Sequence, residues 1–290
     1  MTTTAIDRVG DILKVSTEYL EARNVYQARQ ACELLMACLL KCGRLELFVK
    51  YETRLVEKQL DAMRRGVKRL AAGEPVQYIL GRVEFMGNVF KVDKRALIPR
   101  PETELLVEAM LSAGSVWQPQ QPTICDVGAG SGCIMISLAL AKPGGKYFAV
   151  DTSAEALELA AENAKALGVR AALGFYCGGI SDAVEPDSLD AVAANLPYVS
   201  TADWQSLPKH IRDFEPRAAL DGGPDGLSVI GDVVPDVWFA LRPGGTIFLE
   251  IGAGQAGKVR AMLRDAEFAD IEVRRDLAGL DRIVTARKAE

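Results

Sequence analysis

A chain of 290 residues is long for one domain, and its 49% apolar and 25% charged composition is that of a globular protein, neither disordered nor fibrous. A formal charge of −5 argues against sustained binding of long nucleic acid, which depends on neutralising phosphates with lysine and arginine. No apolar run reaches membrane-spanning length, and the opening Met1-Thr2-Thr3-Thr4-Ala5-Ile6-Asp7-Arg8 lacks the basic-then-apolar build of a signal peptide, so a cytoplasmic protein is expected.

Between Ile6 and Ala72 there is no proline, and apolar residues recur at helical spacing, as in Ala31, Leu34, Leu35, Cys38 and Leu39, which predicts a helical bundle. Cys42-Gly43 reads as a helix stop, and residues 52–70 carry the apolar stripe Leu55, Leu60, Met63, Val67, Leu70 with the basic residues mainly outside it. At Gly73-Glu74-Pro75 the period breaks. Residues 83–92 read as a β-hairpin turning at Gly87-Asn88, and the two prolines near Arg100 stiffen an extended arm before a helix over 102–113. The expected division is a helical domain at 1–73, a linker with the hairpin at 74–95, and a larger α/β domain at 96–290.

In the larger domain a buried strand over 123–127 runs into Gly128-Ala129-Gly130-Ser131-Gly132 and a helix over 133–141, the order of a cofactor loop. Its G-x-G-x-G spacing is not that of dinucleotide folds, and no P-loop Gly-Lys-Ser/Thr follows, so the glycines suit close backbone approach to a ligand without phosphates. A second strand over 146–150 ends at Asp151, placed to accept hydrogen bonds from both hydroxyls of a ribose, while Thr152 is expected to cap the helix that stops at Gly168. Loop and acid together point to S-adenosylmethionine. A third strand over 171–176 follows, then the apolar run 189–194, which ends in Asn195-Leu196-Pro197-Tyr198. Residues 203–216 are expected as a loop. A turn at 221–226, a helix to Arg242 kinked at Pro235, a strand over 246–251, a helix over 255–265 and strands at 271–275 and 281–286 complete seven strands, the last antiparallel. The six cysteines form no C-x-x-C pair and His210 is the single histidine, so no metal is expected, and the thiols read as small buried hydrophobes.

Several ordered motifs resemble one family, the release factor glutamine methyltransferases, also called PrmC or HemK: Gly73-Glu74-Pro75-Val76-Gln77-Tyr78-Ile79-Leu80-Gly81, Ile98-Pro99-Arg100-Pro101-Glu102-Thr103-Glu104, Asp126-Val127-Gly128-Ala129-Gly130-Ser131-Gly132, Asn195-Leu196-Pro197-Tyr198 and Phe214-Glu215-Pro216-Arg217-Ala218-Ala219-Leu220-Asp221-Gly222-Gly223. The ending Gly279-Leu280-Asp281-Arg282-Ile283-Val284 is similar too. The resemblance covers nearly the whole chain. It implies a class I S-adenosylmethionine-dependent methyltransferase fold, a seven-stranded mostly parallel sheet with a small N-terminal helical bundle and a linking β-hairpin. It also implies methylation of the glutamine side-chain amide in the Gly-Gly-Gln loop of peptide chain release factors, with the helical domain touching that protein partner. A monomer without stable nucleic-acid binding is expected.

Carried onto this chain, the resemblance makes the Asn195 side-chain oxygen and the Leu196 carbonyl acceptors for the two amide hydrogens, with Pro197 stiffening the turn and Tyr198 packing on the flat amide. Asp126, Gly128, Ala129, Gly130, Ser131, Gly132, Asp151, Ile180 and Asn195 are expected around the cofactor, and Arg100, Pro101, Glu102 and Thr103 beside the substrate. His210 is expected to be incidental. Two positions depart from the family pattern. Leu196 stands where the family usually has a proline, and Gly179 in Cys177-Gly178-Gly179-Ile180 stands where an acidic adenine partner is common, leaving Ile180 as an apolar wall. The Asn-Leu-Pro-Tyr spelling is also similar to ribosomal RNA adenine dimethylases, which makes adenine methylation the alternative. Methylation of a different protein or small amide, and a binding module that has lost the chemistry, are the remaining readings.

Overall fold

The computed structural model describes residues 7–289 and divides into two compact units. The first runs to Gly81 and includes Pro208–Phe214. Its helices are α1 (Val9–Glu21), α2 (Ala28–Leu40), α3 (Glu57–Ala71) and α4 (Val76–Leu80), with a 3₁₀ segment at Leu45–Lys50. The stripe read from the sequence faces inward: Leu55, Met63, Val67 and Leu70 are buried with Leu13, Leu20, Leu35 and Met36, and Leu60 packs against them. α2 stops before Cys42-Gly43. Lys41 takes the left-handed conformation (φ 52°), and the Cys42 N–H returns to the Ala37 carbonyl at 3.0 Å, so the helix closes without a glycine.

The second unit opens with a hairpin, β1 (Arg82–Phe85) and β2 (Asn88–Lys91), whose turn is Met86-Gly87 rather than Gly87-Asn88. Both turn residues have positive φ, 48° and 70°. Met86 tolerates this because its N–H is held by Glu104 Oε1 at 2.6 Å and its carbonyl accepts from Asn88 Nδ2 at 3.0 Å. Then follow α5 (Pro101–Ser112), β3 (Thr123–Val127), α6 (Cys133–Ala141), β4 (Lys146–Asp151), α7 (Ala154–Ala166), β5 (Ala172–Cys177), α8 (Ile180–Ala183), β6 (Leu189–Ala194), α9 (Thr201–Ser206), α10 (Lys209–Arg212, grouped with the first unit), α11 (Ser228–Ala240), β7 (Leu241–Glu250), α12 (Ala256–Asp265), β8 (Phe268–Arg275) and β9 (Asp281–Lys288). Residues 203–216, expected as a loop, therefore hold helical turns. Ser200 starts the first of them by accepting the Asp203 N–H at 3.1 Å.

The large sheet has the order β5-β4-β3-β6-β7-β9-β8, with β9 antiparallel to both neighbours and the β3, β4, β5, β6 and β7 pairings parallel. β7 starts five residues before the expected Thr246, because Leu189 pairs with Leu241 and Ala191 with Thr246, so the intervening Arg242-Pro243-Gly244-Gly245 bulges out. Side chains alternate between two packed faces, as a sheet covered on both sides requires. Ile124, Ala149, Ala191 and Phe248 face a layer with Leu106, Met110, Ile134 and Met135, while Cys125, Val127, Val192 and Ile247 face one with Ile230, Val237 and Val259. β4 and β6 flank β3 on opposite sides, so the chain reverses direction of travel there, and the carboxyl ends of these strands carry the glycine loop, Asp151 and Asn195. Among the described residues no helix is long and apolar enough to cross a membrane.

Candidate active site

The glycine loop is tied to the strand tips. The Gly128 and Ala129 N–H groups both donate to the Val150 carbonyl, at 2.8 and 3.1 Å, and the Gly130 N–H donates to Asp151 Oδ2 at 2.9 Å. Two of the glycines answer to the chain itself: a Cβ on Gly132 (φ 77°) would meet Ala160 and Ile136 at 2.9 Å, and one on Gly128 (φ 74°) would meet Leu196 at 3.1 Å. Ser131 is buried, and its carbonyl accepts from Asn163 Nδ2 at 3.0 Å.

Asp126 is buried at the end of β3, with Oδ2 accepting from the Met135 N–H at 3.2 Å in the first turn of α6. Burial pushes its carboxyl up to about 7; the Met135 N–H opposes this and the charge of Asp151 adds to it. Its Oδ1 has no hydrogen-bond partner. Asp151 lies at the adjacent strand tip, and its Oδ1 accepts the Ser153 N–H at 2.8 Å. The cap of α7 is Ser153, which accepts the Ala156 N–H at 3.2 Å, so Thr152 does not fill that role. Each Asp151 oxygen thus carries one backbone hydrogen bond and retains a lone pair. Ile180 is buried in the apolar layer with Val127 and Val150, and Asp182 Oδ2 accepts the Gly179 N–H at 3.2 Å beside it. A glycine loop whose Gly130 backbone is open to close approach, a carboxylate at the strand tip and an orphaned buried oxygen form a cradle that fits a nucleoside carrying a cation. Asp126, Asp151, the 128–132 loop and Ile180 are the groups that would hold it.

Asn195 sits where β6 ends. Its Nδ2 donates to Thr103 Oγ1 at 3.0 Å, which leaves Oδ1 as its acceptor end. Thr103 is buried in the first turn of α5, just after Pro101 and Glu102, which are exposed. The Leu196 side chain is buried against Gly128, so the residue that replaces a proline fills core volume. Gly222 admits the Pro197 carbonyl, since a Cβ there would lie only 2.4 Å from it. Tyr198 directs its hydroxyl to Glu250 Oε1 at 3.4 Å, packs its ring beside Gly252, and its carbonyl accepts from Gln255 Nε2 at 2.9 Å. Burial and the Glu250 charge raise its phenol to about 12.

The arm and the 214–223 motif meet at one buried carboxylate. Glu215 accepts from the Ile98 N–H at 3.0 Å and from Arg100 Nη2 at 2.5 Å, so Arg100 is committed to an internal pair. Hydrogen bonds from Val199 N–H to Leu220 O (3.0 Å) and from Gly222 N–H to Val199 O (2.8 Å) fasten that motif to the tetrapeptide. His210 stacks on Tyr26 at 5.3 Å, both within the first unit. Cys32, Cys125 and Cys133 are buried as expected of small apolar groups, but Cys177 is exposed at the end of β5. Glu250 is the residue the sequence reading passed over. It ends β7, directly after the buried apolar run Ile247-Phe248-Leu249, and a charge that follows such a run without a polar break is the signal.

A family profile described as the PrmC N-terminal domain matches residues 11–81, and one described as the methyltransferase small domain matches 100–211. A methyltransferase from Pyrococcus furiosus shares the fold, with a TM-score of 0.50 at 14% identity over 69% of this chain and 89% of that one. The release factor glutamine methyltransferase of Chlorobaculum tepidum is 38% identical over 94% of this chain and 95% of its own length. Its counterpart from Geobacter sulfurreducens is 38% identical over 96% of both chains. With both units matched in order and relatives aligned over nearly their full lengths, the chain belongs to the release factor glutamine methyltransferase family.

Proposed function

We propose that this protein transfers a methyl group from S-adenosylmethionine to the side-chain amide nitrogen of a glutamine in a peptide chain release factor. The observation that carries the catalytic assignment is the anchored Asn195 carboxamide, held through Nδ2 by Thr103 so that Oδ1 is left as its acceptor, on a residue whose backbone carbonyl lies beside Gly128. When bound, the cofactor supplies an electrophilic methyl group on a sulfonium.

An amide nitrogen is a poor nucleophile because its lone pair is delocalised into the carbonyl, so orientation matters more than deprotonation. Asn195 Oδ1 accepts one N–H of the substrate and the Leu196 carbonyl accepts the other, which aims the nitrogen within about 3 to 3.5 Å of the reacting carbon. The new N–C bond replaces the methyl group's bond to sulfur, whose electron pair would stay on a neutral thioether, and one amide hydrogen, held against an acceptor until then, leaves to solvent as a proton. Tyr198 and Pro197 hold the lip in place rather than taking protons; the tyrosine's raised titration keeps it neutral. Asp151 accepts from the ribose, and the 128–132 loop and Ile180 set the depth of the pocket. The helical unit recognises the protein around the reacting glutamine.

Incubation with labelled cofactor and a purified release factor, followed by mass spectrometry of tryptic peptides, is expected to place one methyl group on one glutamine. Asn195→Ala is expected to abolish that transfer while calorimetry still records cofactor binding. Label recovered in ribosomal RNA, or an active Asn195→Ala variant, would overturn the reading.

A further inference from the structure

The proposed mechanism asks the Leu196 carbonyl to keep a fixed direction, and a backbone carbonyl has no rotamer of its own to lock. Its direction follows from the chain on either side. Upstream, Asn195 is anchored through Nδ2 to Thr103 Oγ1 at 3.0 Å. Downstream, the ring of Pro197 fixes one dihedral, but Leu196 carries no ring, so the remaining freedom is removed only by contacts made at Pro197 and Tyr198.

Those contacts converge on one side chain. Gln255, the residue before α12, accepts the Gly252 N–H on Oε1 at 2.8 Å, and its Nε2 donates to the Tyr198 carbonyl at 2.9 Å and to the Gly226 carbonyl at 3.4 Å. It thereby joins the lip after β6, the 221–226 turn and the residues that follow β7. The turn packs backbone on backbone against the lip. A Cβ on Gly222 would lie 2.4 Å from the Pro197 carbonyl oxygen, and one on Gly226 would lie 2.4 Å from that of Tyr198 and 3.0 Å from Gln255 Nε2. The partners dictate the sense of the carboxamide, since an N–H meets only its oxygen end and two carbonyls meet only its NH₂ end. Gln255 does not cap the first turn of α12 with this side chain, which is turned to the lip instead.

We infer that Gln255 is a positioning residue: by holding the Tyr198 carbonyl it fixes the lip, and with it the direction in which the Leu196 carbonyl meets the substrate amide. The inference rests on the assignment of Asn195 and the Leu196 carbonyl as the amide clamp. The donor at Nε2 is the working part. Without it the carbonyls of Tyr198 and Gly226 lose the hydrogens between them, and the Tyr198 peptide is free to turn. Asp203 in α9, Asp225 in the turn and Lys258 in α12 line one cleft of about 370 Å³ with Gln255 and Tyr198, and Lys258 Nζ stands 4.0 Å from Asp225 Oδ2. Arg282 on β9 donates to the Ile251 carbonyl at 3.4 Å, next to Gly252, and Glu250 accepts from the Tyr198 hydroxyl at the other end of that side chain. A carboxyl placed at 255 would have the acids favouring its protonated form, with Lys258 and Arg282 opposing them.

The test compares Gln255→Glu, Gln255→Met and Gln255→Lys in the full chain, with a release factor as substrate. Glutamate keeps an oxygen for the Gly252 N–H; ionised it has no hydrogen for either carbonyl, and protonated it regains one. At about pH 8, Gln255→Glu is expected to lower kcat roughly 30- to 100-fold, with the calorimetric Kd for S-adenosylmethionine and the KM for the release factor within about threefold of wild type. Its kcat relative to wild type is expected to recover about fivefold or more as pH falls to about 6, a recovery that a merely loosened helix start would not show. Gln255→Met removes every polar atom at similar length and is expected to lose kcat as much, without that recovery. Gln255→Lys keeps a donor for the two carbonyls and is expected to stay within about fivefold of wild type. This pair decides the matter if Gln255→Glu fails to fold. Wild-type kcat in Gln255→Met, equal losses in Gln255→Met and Gln255→Lys, or a loss in Gln255→Glu that does not change with pH would sink the inference, and an inactive Asn195→Ala beside them would leave the clamp intact. Weakened cofactor binding or a raised KM with kcat unchanged would also refute it. An active Asn195→Ala would overturn both the clamp reading and the inference that rests on it.

Discussion

Asp126 shows how one buried carboxyl couples the cofactor site to stability. Its folded value of about 7 lies well above the ordinary 3.8 of the unfolded chain, so the folded state binds the proton more tightly. The stability this represents is complete below the unfolded value and is lost as pH rises toward 7, by up to about 4 kcal/mol. Glu162, held down to about 2 chiefly by its hydrogen bonds to Arg95 and Lys91, acts in the opposite sense and over a lower window, where stability is lost as pH falls. The ligand-free protein is therefore expected to melt at a lower temperature at pH 8 than at pH 5. Asp126→Asn keeps an oxygen for the Met135 N–H and removes the charge, so it is expected to melt higher than wild type at pH 8 and to lose most of this slope. Thermal melts followed by circular dichroism at the two pH values check this; an Asp126→Asn variant with the wild-type slope would contradict it.

The strand, glycine loop and helix around Asp126 were legible in the sequence to the residue, because a short buried apolar run followed by glycines allows few alternatives. The meaning of each glycine was not, since the same letter serves ligand approach, left-handed backbone or helix packing. Gly132→Ala places a methyl group 2.9 Å from Ala160 and Ile136, between α6 and α7, and is expected to cost about 2 to 4 kcal/mol and lower the melting temperature markedly. Gly130→Ala meets nothing closer than Ala96 at 3.8 Å, so it is expected to cost only the left-handed strain of about 1 kcal/mol. Equal destabilisation in chemical denaturation would show that packing does not separate them. The hairpin turn and the helices within 201–212 were misread for a related reason. Met86 is held at positive φ by Glu104, eighteen residues away, and the Ser200 cap operates over a segment too short for apolar periodicity to register. Thr103 is expected beside the substrate from the sequence, but its bond to Asn195 spans 92 residues, and no local pattern encodes it.

At the scale of the whole molecule the groups of the candidate site fall in one of the two units. The larger one holds the glycine loop, Asp151 and the Asn195 lip on the ends of a rigid sheet, while the smaller has none of these groups. What the smaller unit does show is apolar surface: Leu45, Phe48 and Val49 in its 3₁₀ segment are 75%, 57% and 87% exposed. Three large apolar side chains exposed within five residues are the kind of surface that a partner covers. If the helical unit recognises the release factor, these residues are the economical place to look, because the chemistry at Asn195 needs only the glutamine and its neighbours. Phe48→Ser together with Val49→Ser is expected to leave the melting temperature nearly unchanged, since both side chains are already in water. Each lost apolar contact at an interface is worth about 1 to 2 kcal/mol, which corresponds to a rise in KM for the release factor of roughly tenfold or more. Because the patch lies outside the groups that orient the amide, kcat at saturating substrate is expected to stay close to wild type. Steady-state kinetics with an intact release factor separates the outcomes: a fall in kcat without a change in KM would place these residues in the chemistry, and no change in either would remove the patch from substrate recognition.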